Sequence, residues 1–143
     1  MKIKRSASAV WEGSGKEGGG RLSAPGGVLA ETPYSAGKRF GDEPGTNPEE
    51  LIAAAHAGCY SMALSFGLSA AGHPPAKLST TADLTMVKEE AGWTIATILL
   101  RVEGEVPGID DAVFQDHAAK AKSGCPVSRA LAGVDIELEA KLL

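Results

Sequence analysis

The sequence predicts an α+β fold, and three observations carry that reading. Strand-like and helix-like stretches run in the order three strands, a long helix, two strands, two helices and a strand, without the strand–helix alternation of a doubly wound sheet. Residues 51–71 contain no Lys, Arg, Asp or Glu, which suits a long buried helix. Near the C-terminus, Val134, Ile136, Leu138, Ala140 and Leu142 alternate with Asp135, Glu137, Glu139 and Lys141. That period of two marks a half-buried strand, expected to pair antiparallel. At 143 residues the chain is expected to form one domain, residues 1–143.

The first third is strands and loops. Residues 2–11, with Ile3, Val10 and Trp11, read as a strand, and the run from Gly13 to Gly20 reads as a flexible hairpin connection. Short strands are expected near residues 21–23 and 28–31. Residues 32–47 hold Pro33, Gly37, Gly41, Pro44 and Gly45, so they read as a loop, and this loop carries Lys38 and Arg39.

The long helix is punctuated at both ends. Asn47 is placed as the N-cap, Pro48 takes the first helical position, and Glu50 follows Asn47 by three as in a capping box. Gly72 and the following His73-Pro74-Pro75 stop it. Leu51, Ala55, Cys59, Met62 and Phe66 fall on one face, with Leu64 and Leu68 on the other side. A helix that is apolar all round needs cover all round. One small chain supplies little of it, which favours a second copy. A membrane span is disfavoured, because Ala, Ser and Gly give little transfer energy and His56, Cys59 and Tyr60 subtract from it.

Two strands follow. Residues 80–88 alternate through Ala82, Leu84 and Met86, Glu89-Glu90-Ala91-Gly92 turns the chain, and residues 93–106 return. Trp11 and Trp93 are assigned to the core. Residues 109–122 read as a helix with Asp110 and Asp111 in its first turn and Lys120 and Lys122 in its last, matching the helix dipole. Residues 126–131 form a second, short helix.

Composition narrows the function. The net charge is −4 with no basic run and no basic–aromatic interleaving, which argues against nucleic acid as a partner. Met1-Lys2-Ile3-Lys4-Arg5 lacks the apolar run of a signal peptide, so a cytoplasmic setting is expected, where thiols stay reduced. Two cysteines make no disulfide scaffold, no Cys-x-x-Cys pair suggests zinc, and His73 and His117 lack ligand spacing. No metal or other cofactor is expected.

Those two cysteines stand 66 residues apart. Cys59 lies mid-helix, and Cys125 opens the short helix at Gly124-Cys125-Pro126-Val127. One reading is a nucleophilic thiol with a resolving thiol, and the other is two inert buried thiols. A non-enzymatic redox sensor or small-molecule binder, and a Cys59/His56 hydrolase dyad, also remain open at this point. If Cys59 is a nucleophile it needs a cation or strong donors, since burial raises a thiol's pKa. The helix dipole fades well before Cys59, so Arg39 in the preceding loop is a candidate. Glu49 precedes Cys59 by ten positions, or about 15 Å of helix. If Glu49 serves a Cys59 site, it must come from the second copy in a symmetric pair.

Four strings carry a resemblance: Trp11-Glu12-Gly13; Lys38-Arg39-Phe40; the run from Gly45-Thr46-Asn47-Pro48-Glu49-Glu50-Leu51 to His56-Ala57-Gly58-Cys59; and Ala121-Lys122-Ser123-Gly124-Cys125-Pro126-Val127-Ser128. Together they closely resemble the OsmC/Ohr family of bacterial thiol peroxidases, nearest its OsmC branch. The resemblance implies the OsmC-like fold, an intertwined homodimer of antiparallel sheets packed on a central pair of helices. It implies reduction of organic hydroperoxides, and of hydrogen peroxide less well, with a lipoyl-type dithiol as reductant. Carried over by position, Cys59 resembles the peroxidatic thiol, Cys125 the resolving thiol, Arg39 the activating cation and Glu49 its carboxylate partner. Arg21 would compete for the cation's role in an Ohr-like chain. Gly58 stands where the family suggests alanine.

Overall fold

Three short strands open the chain: β1 (Ser8–Glu12), β2 (Gly19–Ser23) and β3 (Thr32–Ser35), in the order β1-β2-β3 with both pairings antiparallel. The computed structural model describes residues 1–143, which divide into two compact units, Met1–Leu51 and Ile52–Leu143. The β1–β2 turn requires glycine twice. Gly13 has φ 87°, and a Cβ on Gly18 would meet the carbonyl oxygens of Glu12 and Ser14.

Two expectations for this first unit fail. Residues 28–31 are not a strand: Pro25 and Gly26 turn the chain, Gly27 and Glu31 take φ 83° and 54°, and the strand begins at Thr32. Pro33 is tolerated because β3 is an edge strand. The expected loop also contains a helix, α1 (Ala36–Phe40). Ser35 caps it by accepting from the Lys38 amide at 3.2 Å. Five residues, with Gly37 inside and Gly41 just after, are too few to leave a periodic signal.

Helix α2 (Pro48–Ala70) is the chain's one helix long and apolar enough to cross a membrane by length and composition. Its ends are as expected. The Glu50 amide donates to Asn47 Oδ1 at 2.9 Å. At the other end the His73 amide donates to the Leu68 carbonyl, the Gly72 amide donates to the Ser69 carbonyl, and Gly72 has φ 85°, which is a Schellman stop.

The second unit is built on one sheet. Strands β4 (Lys77–Glu89), β5 (Gly92–Glu105) and β6 (Asp135–Leu142) pair in the order β4-β5-β6. β4 and β5 are antiparallel, with a bulge at Thr85/Met86. β6 is not antiparallel as expected. It runs parallel to β5, with Ile98 opposite Ile136 and Leu100 opposite Leu138. Alternation reports which face is buried and is blind to direction. Direction comes from the helical crossover between β5 and β6, made by α3 (Asp111–Gly124) and α4 (Pro126–Ala130).

The core lies between this sheet and the helices. His56, Tyr60, Leu64 and Leu68 recur every four residues along α2, and all are fully buried. The three latter pack with Leu100, Val102, Val106, Phe114 and Ala121. Tyr60 spends its polar end by donating to the Ala118 carbonyl at 3.2 Å, and burial pushes its phenol far up. Gly104 is required here, since a Cβ would run into the Phe114 ring at 2.6 Å. Along α2's other side, Met62 is 61% and Phe66 71% exposed. Trp11 (37%) and Trp93 (51%) are not core residues in this chain either. Every residue of β1 is exposed, and Trp11 packs at a tilt on Tyr34, centroids 5.3 Å apart. Trp93 is at the far end of the β4–β5 hairpin, next to its turn.

Candidate functional site

The first unit contributes an ion pair. Arg39 sits in the last turn of α1, and Glu49 in the first turn of α2. Arg39 Nε donates to both Glu49 oxygens at 3.1 Å, and Nη2 donates to Oε1 at 2.7 Å. A guanidinium fork on a carboxylate is the strongest kind of side-chain pairing available without a metal. Asn47 fixes the geometry from between them. Its Nδ2 donates to the Lys38 carbonyl at 3.1 Å while its Oδ1 caps α2. One buried side chain thus ties the end of α1 to the start of α2. The Arg39 guanidinium also lies 5.0 Å over the Phe40 ring. Arg21, the competing cation, lies on β2 opposite Pro33 and is exposed.

The second unit contributes a thiol pair. Cys59 projects from the middle of α2, and Cys125 is the hinge residue between α3 and α4. Cys125 ends α3 by donating its amide to the Ala121 carbonyl at 2.9 Å. It begins α4 by accepting from the Arg129 amide at 3.1 Å. Pro126 suits the first position of α4, where no amide is needed. Both thiols are free, and their Sγ atoms lie 2.7 Å apart. Cys125 is buried and Cys59 half-buried.

The two sulfurs are electrostatically unequal. Burial pushes the Cys59 thiol up, and the adjoining Cys125 sulfur pushes it further, against one amide hydrogen bond from Val127. Burial also acts upward on Cys125. It is outweighed by the hydrogen bond shared with the Cys59 thiol and by those from the Ser128 amide and hydroxyl and the Val127 amide, so Cys125 is pulled below the ordinary thiol value. Of the two thiols, Cys125 is therefore the more acidic. A thiolate on Cys59 needs a further cation.

From the sequence, His56 reads either as a packed or hydrogen-bonded helix residue or as half of a dyad with Cys59, and Ser128 only as part of a longer string. The structure joins them: His56 Nε2 and Ser128 Oγ are 2.7 Å apart, both residues buried. His56 Nδ1 is buried without a partner, so neither ring nitrogen bonds Cys59. Burial holds the imidazole below its ordinary pKa, hence neutral. No local signal joins His56 and Ser128, because they stand 72 positions apart in sequence.

Comparison with known proteins adds the lineage. Residues 41–139 match the family model described as OsmC-like protein. The chain is 50% identical over 131 residues to Peroxiredoxin OsmC of Escherichia coli K12, covering 92% of each. It is 33% identical over 100 residues to the organic hydroperoxide resistance protein OhrA of Bacillus subtilis, covering 68% of each. Among solved structures, an organic hydroperoxide resistance protein from Elizabethkingia anophelis superposes with a TM-score of 0.77 at 26% identity, covering 100% of both chains.

Proposed function

The chain belongs to the OsmC-like family, and from that premise we propose that it is a thiol-dependent peroxidase that reduces organic hydroperoxides, and hydrogen peroxide less well. The observation that carries the mechanism is the 2.7 Å separation of Cys59 and Cys125. A disulfide needs about 2.05 Å, so the two sulfurs reach bonding distance with a small side-chain movement.

In this reading Cys59 attacks the distal oxygen of the hydroperoxide, the O–O bond breaks, and the alkoxide takes a proton and leaves as alcohol. Cys59 is then a sulfenic acid. Cys125, the more acidic of the two thiols, loses its proton and attacks the Cys59 sulfur, and hydroxide leaves and is protonated to water. A dithiol of lipoyl type reduces the disulfide and returns both thiols. In this reading apolar Leu51, Met62 and Phe66, on the Cys59 side of α2 by helical spacing, line a pocket that favours an organic over an inorganic peroxide.

The missing cation is assigned to Arg39, oriented by Glu49. Glu49 and Cys59 share one helix about 15 Å apart, so the pair serves Cys59 from a second copy. We therefore assign the chain as an intertwined homodimer, one domain per chain, in which each subunit's Arg39–Glu49 pair completes the partner's thiol site. The uncovered Met62–Phe66 face of α2 supports this reading. A cytosolic setting suits two catalytic thiols that must start reduced.

The test is steady-state reduction of an organic hydroperoxide with a dihydrolipoyl donor. Multiple turnover by the wild type, lost in Cys59→Ser and in Cys125→Ser, is the expected result. Consumption of a single equivalent, whichever dithiol is offered, would turn the reading toward a redox sensor.

A further inference from the structure

The buried His56–Ser128 pair has no part in the peroxidase chemistry described above, yet Ser128 stands only three residues after Cys125, in the first turn of α4. We propose that His56 and Ser128 form a hydrogen-bond relay that positions Cys125 and stabilises negative charge on its sulfur, making Cys125 the group that leaves when the disulfide is reduced. The inference rests on the two-thiol reading and adds which sulfur the reductant attacks.

The direction of the relay follows from the donors. Ser128 stands one turn after Cys125 at the start of α4, and in the relay its one hydroxyl proton goes to the Cys125 sulfur, in keeping with the downward pull of that hydroxyl on the thiol. Ser128 Oγ must then accept from His56 Nε2, 2.7 Å away. In the relay the imidazole is therefore the Nε2–H tautomer, which leaves Nδ1 as a bare lone pair, consistent with its having no partner. The opposite tautomer would bury an unpaired N–H and turn the Ser128 proton away from sulfur. Both side chains are anchored on elements packed in the core: His56 is in the fully buried stripe of α2, and Ser128 is in the first turn of α4. The neutral imidazole lends a hydrogen bond and transfers no proton.

The consequence falls on the reductive half of the cycle. One thiolate of the dithiol attacks Cys59 Sγ, the Cys59–Cys125 bond breaks, and its electron pair leaves on Cys125. The mixed disulfide is thus on the half-buried sulfur, which an incoming thiol reaches more readily than the buried one. The second thiol of the donor then attacks its own sulfur in that mixed disulfide and closes the donor's disulfide. Cys59 is released as thiolate. Two electrons pass from donor to protein, and the donor's two protons restore the two thiols through solvent.

The experiment separates the half-reactions by rapid mixing in Ser128→Ala, Ser128→Thr, His56→Phe and His56→Gln. Formation of the Cys59 sulfenic acid, read by trapping, should match wild type in all four. Disulfide reduction by dihydrolipoamide should slow at least about tenfold in Ser128→Ala and His56→Phe, as loss of a hydrogen bond to a charged group implies. Ser128→Thr and His56→Gln, which keep a donor in each place, should recover most of the rate. In a pH titration of the reduced protein, the ultraviolet thiolate absorbance should rise at higher pH in the first pair than in wild type and keep the wild-type midpoint in the second. If all four variants reduce at the wild-type rate, or if the donor-keeping variants are as slow as the others, the relay is overturned. Absence of turnover in the wild type would instead overturn the peroxidase reading, while the thiolate absorbance, which needs no peroxide, would still decide the relay.

Discussion

Cys59 and Cys125 are 66 positions apart in sequence, and their Sγ atoms meet at 2.7 Å. One equivalent of an organic hydroperoxide should therefore convert both thiols to an intramolecular disulfide, without cross-linking chains. Mass spectrometry of the oxidised, unreduced protein should find one peptide pair joining these residues. In Cys125→Ser the reaction should stop at a sulfenic acid on Cys59. A disulfide-linked dimer as the main product would contradict the geometry.

The Arg39–Glu49 pair should matter to rate more than to folding. Arg39→Ala removes the cation proposed to hold Cys59 as thiolate. Charge-assisted hydrogen bonds contribute about 1.5–3 kcal/mol, so kcat/KM for the hydroperoxide should fall roughly 10- to 150-fold. Arg39→Lys should restore only part of it, because an ammonium cannot make the fork. Mixing subunits locates the pair. A heterodimer of Glu49→Ala and Cys59→Ser chains keeps one complete site if the pair acts across the interface, so two poorly active parents should regain up to half of wild-type activity. No gain on mixing would confine the pair to its own chain.

Much of this was legible in the sequence because the relevant signals are local. Asn47, Pro48, Gly72 and the proline pair after it mark α2 through caps and backbone geometry, which depend on neighbours alone. The Arg39–Glu49 and Cys59–Cys125 pairings were not readable from spacing, and the family resemblance supplied their roles. Three features escaped. The parallel direction of β6 is set by a crossover, and a period-two pattern is the same in either direction. Helix α1 is too short to show a period. The His56–Ser128 bond joins residues 72 positions apart, and nothing local to either announces it.

The exposed side of α2 predicts an association. Met62 and Phe66 are large, apolar and mostly uncovered in one chain. Phe66→Glu, or Met62→Glu with it, should place charge in the proposed helix pair and shift sedimentation from dimer toward monomer. Peroxidase turnover should fall in parallel if, as proposed, each site borrows its Arg39–Glu49 pair from the partner. A monomeric variant with full activity would separate the site from the dimer.

Gly104 tests the core of the second unit. It lies on β5, and its missing side chain is the space occupied by the Phe114 ring, which is fully buried. Both neighbours are fixed by regular structure, so an added methyl has little room. Gly104→Ala should cost about 1–3 kcal/mol in denaturant unfolding, the usual range for overpacking. By contrast a Cβ at Gly58 meets nothing within 4 Å in its own chain. Gly58→Ala should stabilise α2 by up to about 1 kcal/mol. The opposite signs of two glycine-to-alanine changes make a sharp comparison by urea denaturation.

Burial of His56 gives stability a pH dependence of known sign. Its pKa in the folded chain lies below the ordinary 6.5, because charging it would mean desolvating an imidazolium. Above pH 6.5 the imidazole is neutral whether the chain is folded or unfolded, and it favours neither state. Below 6.5 the unfolded chain takes up a proton that the folded chain refuses. Stability should therefore fall as pH drops from 6.5 toward the lowered folded value. Carboxylates complicate the curve only below about pH 5. His56→Gln keeps a donor toward Ser128 and cannot titrate. Its urea-unfolding free energy, at fixed protein concentration, should be flatter than wild type between about pH 7 and 5. Equal slopes for the two proteins would mean that His56 is protonated as readily in the folded chain as in the unfolded one.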